Sequence, residues 1–306
     1  MTKNPPKINL DLRSISQEIG RTPLLHISSL SSSKVQVHAK AEWYQLGNSV
    51  KARAAYHIIL EALSHRTTQG RTLIDASSGN TAIAYASICS RLNIPLAICL
   101  PANASQKRKD ILRALGVDLR LTSELEGTDG AQAVAKQLVT QQPDKYYLLD
   151  QYSNEANWKA HYQTTANEIW TQSKGKISHF VTGLGTTGSM MGNAIRLKEL
   201  NPEIKAIGLQ PDSPMHILEG WKHLDTAAVP SIYNDRHIDS FEEIDSMEVL
   251  DMIKFIAKHE GLLISPSSAA NLIGAKRVAD QTEEGFIGTL LPDDISKYSE
   301  ILNMIN

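Results

Sequence analysis

Residues 72–100 read TLIDASSGNTAIAYASICSRLNIPLAICL and are the most informative stretch for the architecture of the chain. Thr72–Ala76 is a short apolar run typical of a buried strand, and Thr81–Leu92 has the length and apolar content of a helix. A second apolar run, Leu96–Leu100, ends at Pro101. A strand, a helix and another strand in this order predict two neighbouring strands that run parallel.

The same alternation continues on both sides of this unit. Before it, Val35–Ala41 has the pattern of a strand, and Arg53–Ser64 that of a helix with one apolar face. Pro211–Asp245 lacks periodicity and predicts a long, partly mobile excursion. The sequence therefore predicts the α/β class, in which ligands bind beyond the carboxyl ends of the strands. After the first unit, helices are predicted at Gln106–Leu115, Gly130–Val139, Trp158–Ser173, Gly188–Leu200, Ser246–His259, Ser267–Ala279 and the C-terminus, and strands at Val117–Thr122, Tyr147–Asp150, His179–Gly183, Ala206–Gln210, Leu262–Ile264 and Phe286–Leu291.

Composition excludes several classes of protein. The 306 residues can form one large domain or two joined ones, and the net charge of −2 gives no footprint for nucleic acid or an anionic membrane. Cys89 and Cys99 have no metal spacing and form no disulfide framework, and the histidines show no metal pattern, so no metal is expected. Residues 1–14 are polar and lack the apolar core of a signal peptide, so the cytoplasm is the expected location.

A glycine-rich turn, Gly183-Leu184-Gly185-Thr186-Thr187-Gly188-Ser189, joins an apolar strand to a helix. Its backbone N–H groups and the helix N-terminus are suited to an anion such as a phosphate. The G-x-G-x-x-G spacing also occurs in dinucleotide-binding folds, but these require an acidic residue at the end of the next strand. That strand ends at Gln210, with Asp212 close by, and a tight turn without a ligand is a third interpretation.

Two further turns contain candidate site residues. Ser77-Ser78-Gly79-Asn80-Thr81 offers N–H groups and hydroxyls to a carboxylate, or it simply caps the following helix. In Asn48-Ser49-Val50-Lys51-Ala52-Arg53, Lys51 is either an ordinary surface lysine or a buried amine that acts as a Schiff-base nucleophile. Neither turn alone decides between its two interpretations.

Together, the three turns resemble a known family. A lysine after Asn-Ser-Val, about thirty residues before Ser-Gly-Asn-Thr, with a glycine-rich turn downstream, resembles the pyridoxal phosphate (PLP)-dependent enzymes of the tryptophan-synthase-β-like fold, fold type II. Among them, the chain is similar to the cysteine synthases (O-acetylserine sulfhydrylases), from IGRTPL at Ile19–Leu24 to LPD at Leu291–Asp293. The family also has the form G-T-G-G at this turn. The run Gly185-Thr186-Thr187-Gly188 differs from that form and is more similar to the B-type branch of the cysteine synthases.

The resemblance implies an architecture and a set of residue roles. It implies two open, twisted, mostly parallel sheets flanked by helices, in two domains with the site between them, and a homodimer. Residues 45–152 would form a smaller, mobile substrate-binding domain, and residues 1–44 and 153–306 a larger domain that binds the PLP phosphate. Lys51 would hold PLP and move the substrate's α-proton, Asn80 would bond the phenolic oxygen, and Ser267 would face the pyridine nitrogen. The phosphate would lie against Gly185, Thr186, Thr187, Gly188 and Ser189, and the substrate carboxylate against Ser77, Ser78, Gly79, Thr81 and Gln151.

The implied reaction is β-replacement on an O-activated serine, either O-acetylserine or O-phosphoserine. A sulfur nucleophile would give cysteine or S-sulfocysteine. The same first half-reaction also serves diaminopropionate, cystathionine and β-cyanoalanine synthases. An NAD-dependent oxidoreductase would explain the glycine-rich turn but leave Lys51 idle, and a catalytically weak PLP-binding paralogue is a further alternative.

Several positions depart from the family pattern close to the expected site. Asn48, Ala82 and Ala269 stand where the family usually has glycine, Ala52 where it has aspartate, and Asp294-Ile295 where Ser-Gly is common. These changes indicate either neutral drift or a pocket retuned for another donor or acceptor. Lys222 and His223, in a loop near the expected site mouth, either attract an anionic second substrate or belong to an ordinary polar loop.

Overall fold

The computed structural model describes residues 7–65, 68 and 70–305 of the chain. Two separate β-sheets organise these residues, one of six strands and one of four. The predicted class, α/β with two mostly parallel sheets flanked by helices, is confirmed. The strands are β1 (Leu24–His26), β2 (Val35–Ala41), β3 (Thr72–Ala76), β4 (Leu96–Pro101), β5 (Asp118–Thr122), β6 (Tyr146–Leu148), β7 (His179–Gly183), β8 (Lys205–Pro211), β9 (Ser240–Ile244) and β10 (Gly285–Leu291).

The larger sheet has the strand order β1-β2-β10-β7-β8-β9, and only β1 is antiparallel to its neighbour. The smaller sheet has the order β5-β4-β3-β6 and is parallel throughout. Because helices cover such sheets on both faces, their central strands are apolar rather than alternating. Leu96–Pro101, which is buried at every position, shows this directly.

The helices cover both sheets and enclose the hydrophobic cores. Around the larger sheet, Ile253, Leu272 and Ile287 belong to one buried cluster; around the smaller sheet, Ile58, Tyr85 and Ile98 belong to another. The helices are α1 (Lys7–Gln17), α2 (Lys51–Ser64), α3 (Asn80–Leu92), α4 (Gln106–Ala114), α5 (Gly127–Gln141), α6 (Ala156–Gln163), α7 (Thr165–Gln172), α8 (Gly188–Leu200), α9 (Ser246–Glu260), α10 (Pro266–Gln281) and α11 (Ser299–Ile305).

Three local predictions were wrong. The helix expected at Trp158–Ser173 is two helices, α6 and α7, separated at Thr164, whose hydroxyl donates to the Ala160 carbonyl 2.6 Å away. Competition of a threonine hydroxyl for the backbone of the preceding turn favours such a break. Leu262–Ile264 is not a strand, since only Ile264 forms an isolated bridge, to Asp294. Pro211–Asp245 is not wholly irregular, because β9 at its end pairs in parallel with β8.

Two features are absent from the described residues. In the part of the chain that the structure describes, no helix is both long and apolar enough to cross a bilayer. Within the same residues, no group of three or more histidine, cysteine, aspartate or glutamate side chains is arranged to hold a metal ion.

Candidate active site

A cavity of about 480 Å³ lies where the carboxyl ends of strands from both sheets meet. The loop after β3 enters it from the smaller sheet, and the turn after β7 enters it from the larger sheet. Three of the predicted site residues, Thr187, Gly188 and Gln151, lie outside its wall. The predicted residues that line it are Lys51, Ser77, Ser78, Gly79, Asn80, Thr81, Gly185, Thr186, Ser189 and Ser267.

Lys51 is the first residue of α2, in the connection that leaves the carboxyl end of β2. Burial lowers the pKa of its amine to about 8, although the charge of Asp293 acts in the opposite direction. An amine with this pKa is partly neutral near pH 7 and can attack a carbonyl carbon. Lys51 therefore has the chemistry of a Schiff-base lysine rather than that of a solvated surface lysine.

A buried ionic network holds the helix that starts at Lys51. The guanidinium of Arg53 is fully buried and lies 2.7 Å from carboxylate oxygens of both Glu42 and Glu168. Lys40, also fully buried, pairs with the second oxygen of Glu168 at 2.8 Å. Because these groups come from β2, α2 and α7, the network fixes the first turn of α2 against the larger sheet.

The loop Ser77–Thr81 is held from behind by Gln151. Thr81 Oγ1 donates to Gln151 Oε1 at 2.7 Å, and Gln151 Nε2 donates to the Ala76 carbonyl at 2.9 Å. Gln151 is buried and outside the cavity wall, so its contact is with the loop rather than with the open cavity. The side chains left facing the cavity are Ser78 and the neighbouring polar groups of the loop.

The glycine-rich turn after β7 presents donors at the N-terminus of α8. Within the described residues, no backbone acceptor is found for the N–H groups of Gly185, Thr186 and Thr187. The buried Thr187 hydroxyl has no hydrogen-bond partner, and the residue has a left-handed backbone with φ of +68°. A side chain at Gly188 would overlap the Asn157 amide, which also bonds Thr186 Oγ1 at 3.1 Å. Free donors beside a helix N-terminus form a cradle for an anion.

Asn80 is held by groups that sequence reasoning did not identify. Asn80 Nδ2 donates to Asp293 Oδ2 at 2.8 Å, and the Lys297 ammonium donates to Asn80 Oδ1 at 2.9 Å. Tyr298 lines the cavity and donates to the same oxygen of Asp293 at 2.8 Å. In the sequence, Leu291–Asp293 indicates only where the family resemblance ends, and it gives no role to Asp293. No pattern in the sequence identifies Lys297 as a residue of the site.

Two ion pairs cross the mouth of the cavity. Arg108 of α4 pairs with Glu219, and its guanidinium lies 5.0 Å from the centre of the Tyr298 ring. Lys222 pairs with Asp129 of α5 at 3.4 Å. Lys222 and His223 both line the cavity, as their loop suggested, but the charge of Lys222 is already paired.

None of the positions that depart from the family pattern lines the cavity. Ala52, Ala82 and Ala269 are fully buried in the apolar cores. Asn48 has a φ of +50°, a left-handed conformation that suits glycine and, among other residues, asparagine best. The positions that differ from the family pattern therefore do not contribute to the cavity lining.

These groups fit PLP. The turn Gly185–Ser189 offers unpaired donors and an orphaned hydroxyl to a phosphate, Lys51 offers a partly neutral amine to an aldehyde, and Asn80 offers an amide N–H to a phenolic oxygen. Ser267 lines the same cavity, with its hydroxyl 3.1 Å from that of Ser265, and provides a neutral group for a ring nitrogen. The donor set thus matches each polar end of this cofactor.

Known proteins agree with this fit. The family described as "Pyridoxal-phosphate dependent enzyme" matches residues 15–293. The chain is 40% identical to a cysteine synthase of Aquifex aeolicus over 289 residues, covering 92% of this chain and 88% of that protein. It is 33% identical to cysteine synthase B of Escherichia coli, covering 94% of both chains. The crystal structure of an O-acetylserine dependent cystathionine beta-synthase from Helicobacter pylori has a TM-score of 0.86 and 30% identity, covering 94% and 96% of the two chains.

The fold and the site define a class of protein, the PLP-dependent enzymes of fold type II. Within that class the chain belongs to the cysteine synthase family, so its cofactor is PLP and its substrates are small amino acids. The dinucleotide interpretation of the glycine-rich turn is set aside, because the matched family uses PLP and the turn lies in one cavity with Lys51.

Proposed function

We propose that this enzyme catalyses β-replacement on O-acetylserine, with a sulfur nucleophile as the second substrate and cysteine as the product. One observation carries the proposal: Lys51, the Ser77–Thr81 loop and three residues of the glycine-rich turn (Gly185, Thr186 and Ser189) line a single cavity. The relatives named cysteine synthase, at 40% and 33% identity, support the same reaction.

When bound, PLP supplies an electron sink that stabilises negative charge at the substrate's α-carbon. The residues of the chain supply position and proton transfer. Lys51 would hold the cofactor through its amine and would also move the substrate's α-proton. The N–H groups and hydroxyls of Ser77–Thr81 hold the substrate carboxylate beside that amine, and Gln151 keeps the loop in place through Thr81.

The cations near the mouth of the cavity have carboxylate partners. Lys222 is paired with Asp129, and one nitrogen of Arg108 is paired with Glu219. The Nε and Nη2 atoms of Arg108 have no hydrogen-bond partner among the described residues. The ion pairs therefore do not select the donor, and O-acetylserine is favoured because similar proteins are named as O-acetylserine dependent enzymes. The buried position of Ala52, Ala82 and Ala269 supports neutral drift over a retuned pocket.

The direct test follows the cofactor absorbance after the purified enzyme is mixed with O-acetylserine, O-phosphoserine or serine. We expect O-acetylserine to change the band above roughly 400 nm, and added sulfide to restore it while cysteine accumulates. An enzyme that binds PLP but responds to none of the three donors would be a catalytically weak paralogue, and the proposed reaction would be wrong.

A second acceptor is favoured by the similarity to the Helicobacter pylori enzyme, named as an O-acetylserine dependent cystathionine beta-synthase. The same first half-reaction followed by attack of homocysteine would give cystathionine. Mass spectrometry of the products separates these outcomes. O-acetylserine is offered in turn with sulfide, thiosulfate, homocysteine, cyanide or ammonia. We expect cysteine to form fastest.

The resemblance also supports proposals about assembly and motion. We propose that residues 45–152, which contain the whole smaller sheet, move as one domain relative to residues 1–44 and 153–306 and close over bound carboxylate. We further propose a homodimer in the cytoplasm. Sedimentation of the purified enzyme tests the dimer, and small-angle scattering with and without substrate tests the closure.

A further inference from the structure

A buried lysine lies beside the cavity without belonging to its wall. Lys297, at the end of a short turn after β10, is only 7% exposed. Its ammonium donates to Asn80 Oδ1 at 2.9 Å, to the Asn48 carbonyl at 2.8 Å and to the Gly47 carbonyl at 3.4 Å. An ammonium has three hydrogens, so these three acceptors use its whole capacity. Burying a cation is unfavourable, which indicates that these contacts have a purpose beyond surface solvation.

The other end of the Asn80 amide meets an anion. Asn80 Nδ2 donates to Asp293 Oδ2 at 2.8 Å, and this fully buried carboxylate also accepts from Tyr298 at 2.8 Å. Asn80 is therefore held with a cation on its oxygen and a carboxylate on its nitrogen. Turning the amide over would place its oxygen against Asp293 and its hydrogens against Lys297, so only one orientation is favourable.

A count of donors shows what this orientation leaves free. The amide nitrogen carries two hydrogens, of which Asp293 takes one. Asn80 lines the cavity, so its second N–H is available to a ligand there. The Lys297 cation on the amide oxygen draws electron density from the nitrogen and so strengthens its N–H groups as donors, while Asp293 fixes the direction of the amide. The second N–H is thus a stronger and better-directed donor than that of an isolated asparagine.

We propose that Lys297 and Asp293 are positioning residues that orient and polarise Asn80, so that its free N–H stabilises the ionised phenolic oxygen of the cofactor. This inference rests on the proposed binding of PLP through Lys51. It also assigns a role to the turn before Lys51, because Lys297 ties the Gly47 and Asn48 carbonyls to the same amide. One buried cation therefore joins the lysine-bearing segment, the loop after β3 and the segment after β10.

The test uses the absorbance spectrum of the holoenzyme, without substrate. Cofactor with an ionised phenolic oxygen absorbs above roughly 400 nm, and cofactor with a neutral one absorbs below roughly 350 nm. In K297M we expect the ratio of long-wavelength to short-wavelength absorbance to fall by roughly threefold or more, because the donor to that oxygen is weakened. K297R, which keeps the charge, should restore much of the ratio.

Matched variants separate positioning from a general effect. K107M removes an exposed lysine that contacts the neighbouring Ser296 carbonyl but not Asn80, and it should leave the spectrum unchanged. In the N80A background, K297M should cause no further shift, since the group through which it acts is absent. Thermal unfolding of each variant shows whether the protein remains folded.

Three results would overturn the proposal. The first is PLP-loaded K297M with the absorbance ratio of the wild type. The second is an absorbance ratio that falls as much when K297M is added to N80A as when it is added to the wild type. If K297M fails to fold, K297Q decides, and a wild-type spectrum in PLP-loaded K297Q contradicts the proposal. Failure of the Lys51 attachment on which the proposal rests looks different, because wild-type protein would then carry no borohydride-reducible cofactor on Lys51. Failure of the proposed reaction would show as wild-type holoenzyme that does not respond to any of the three donors.

Discussion

At the residue scale, the chemistry depends on how much of the Lys51 amine is neutral. Burial lowers its pKa to about 8, and the nearby Asp293 carboxylate limits that decrease. Since only the neutral amine is nucleophilic, the rate at which apoenzyme takes up PLP should rise about tenfold per pH unit below pH 8 and level off above it. Absorbance measured by stopped flow over a series of pH values provides this profile.

The same experiment on D293N tests the cause of the pKa. Removing the carboxylate removes the charge that raises the pKa, so the plateau should begin at lower pH. D294N, which changes the adjacent carboxylate, is the control and should keep the wild-type profile. An uptake rate that still rises at pH 10 would mean that Lys51 titrates as an ordinary lysine.

Asn48 provides a second prediction at this scale, because its φ of +50° is strained for most side chains. N48G should change the free energy of unfolding by less than about 0.5 kcal/mol, since glycine adopts this conformation freely. N48A should lower the free energy of unfolding by about 1 kcal/mol, because alanine adopts this left-handed conformation less readily than asparagine or glycine. Urea unfolding monitored by tryptophan fluorescence measures both, and equal costs would contradict the backbone explanation.

The sequence predicted the cavity-lining residues that lie in motifs. It missed the residues that hold those motifs from outside the cavity. Lys51, Ser77–Thr81 and Gly185–Ser189 lie in strand-to-helix turns, where the topology brings ligand-binding groups together. Lys297 lies in the polar run DDISKYS, which has the composition of a solvated surface. Only the fold shows that β10 delivers this lysine next to Asn80 from more than two hundred residues away.

At the scale of elements, the two ion pairs across the cavity mouth tie the 217–223 segment to α4 and α5. E219Q leaves the buried guanidinium of Arg108 without its carboxylate, at a cost of about 1 kcal/mol for a partly exposed pair. We expect faster hydrogen exchange in residues 217–223 and a several-fold higher KM for O-acetylserine, with a smaller change in kcat. E124Q, an exposed glutamate before α5, is the matched control. Unchanged exchange and KM in E219Q would show that the pair does not order the segment.

Element boundaries were less predictable than element types. The alternation of strands and helices was clear because parallel strands are continuous apolar runs. The break at Thr164 depends on a side-chain bond to the preceding turn, and β9 has an exposed, half-polar pattern because it lies at the sheet edge. The local sequence pattern does not show the helix break at Thr164 or the edge position of β9, because both depend on contacts made in the folded structure.

At the scale of the whole molecule, the buried network of Arg53, Glu42, Glu168 and Lys40 joins the lysine-bearing helix to the larger sheet. Burial alone would raise the pKa of Glu168, but its bonds to Arg53 and its attraction to Arg53 and Lys40 outweigh burial and lower the pKa to about 2. A carboxylate whose folded pKa lies below its unfolded value stabilises the fold at higher pH. That stabilisation is lost as the pH falls from about 4.5 towards 2.

E168Q should therefore be less stable than the wild type at neutral pH and should lose less stability on acidification. The ionisable group contributes up to about 3 kcal/mol of this pH dependence. Chemical unfolding between pH 6 and pH 3 measures the two slopes. E155Q, which removes a carboxylate from an exposed pair with Lys159, should keep the wild-type slope. Parallel slopes for E168Q and wild type would contradict the assignment.

The fold brings Lys51, the Ser77–Thr81 loop and the glycine-rich turn after β7 to a single cavity. Our central proposal is that PLP binds there through Lys51. Reduction of the holoenzyme with borohydride, followed by proteolysis and peptide mass mapping, tests it most directly. We predict that the band above roughly 400 nm disappears and that the reduced cofactor is found on Lys51 alone, while K51A carries none. Reduced cofactor on a different lysine, or none in the wild type, would contradict the account.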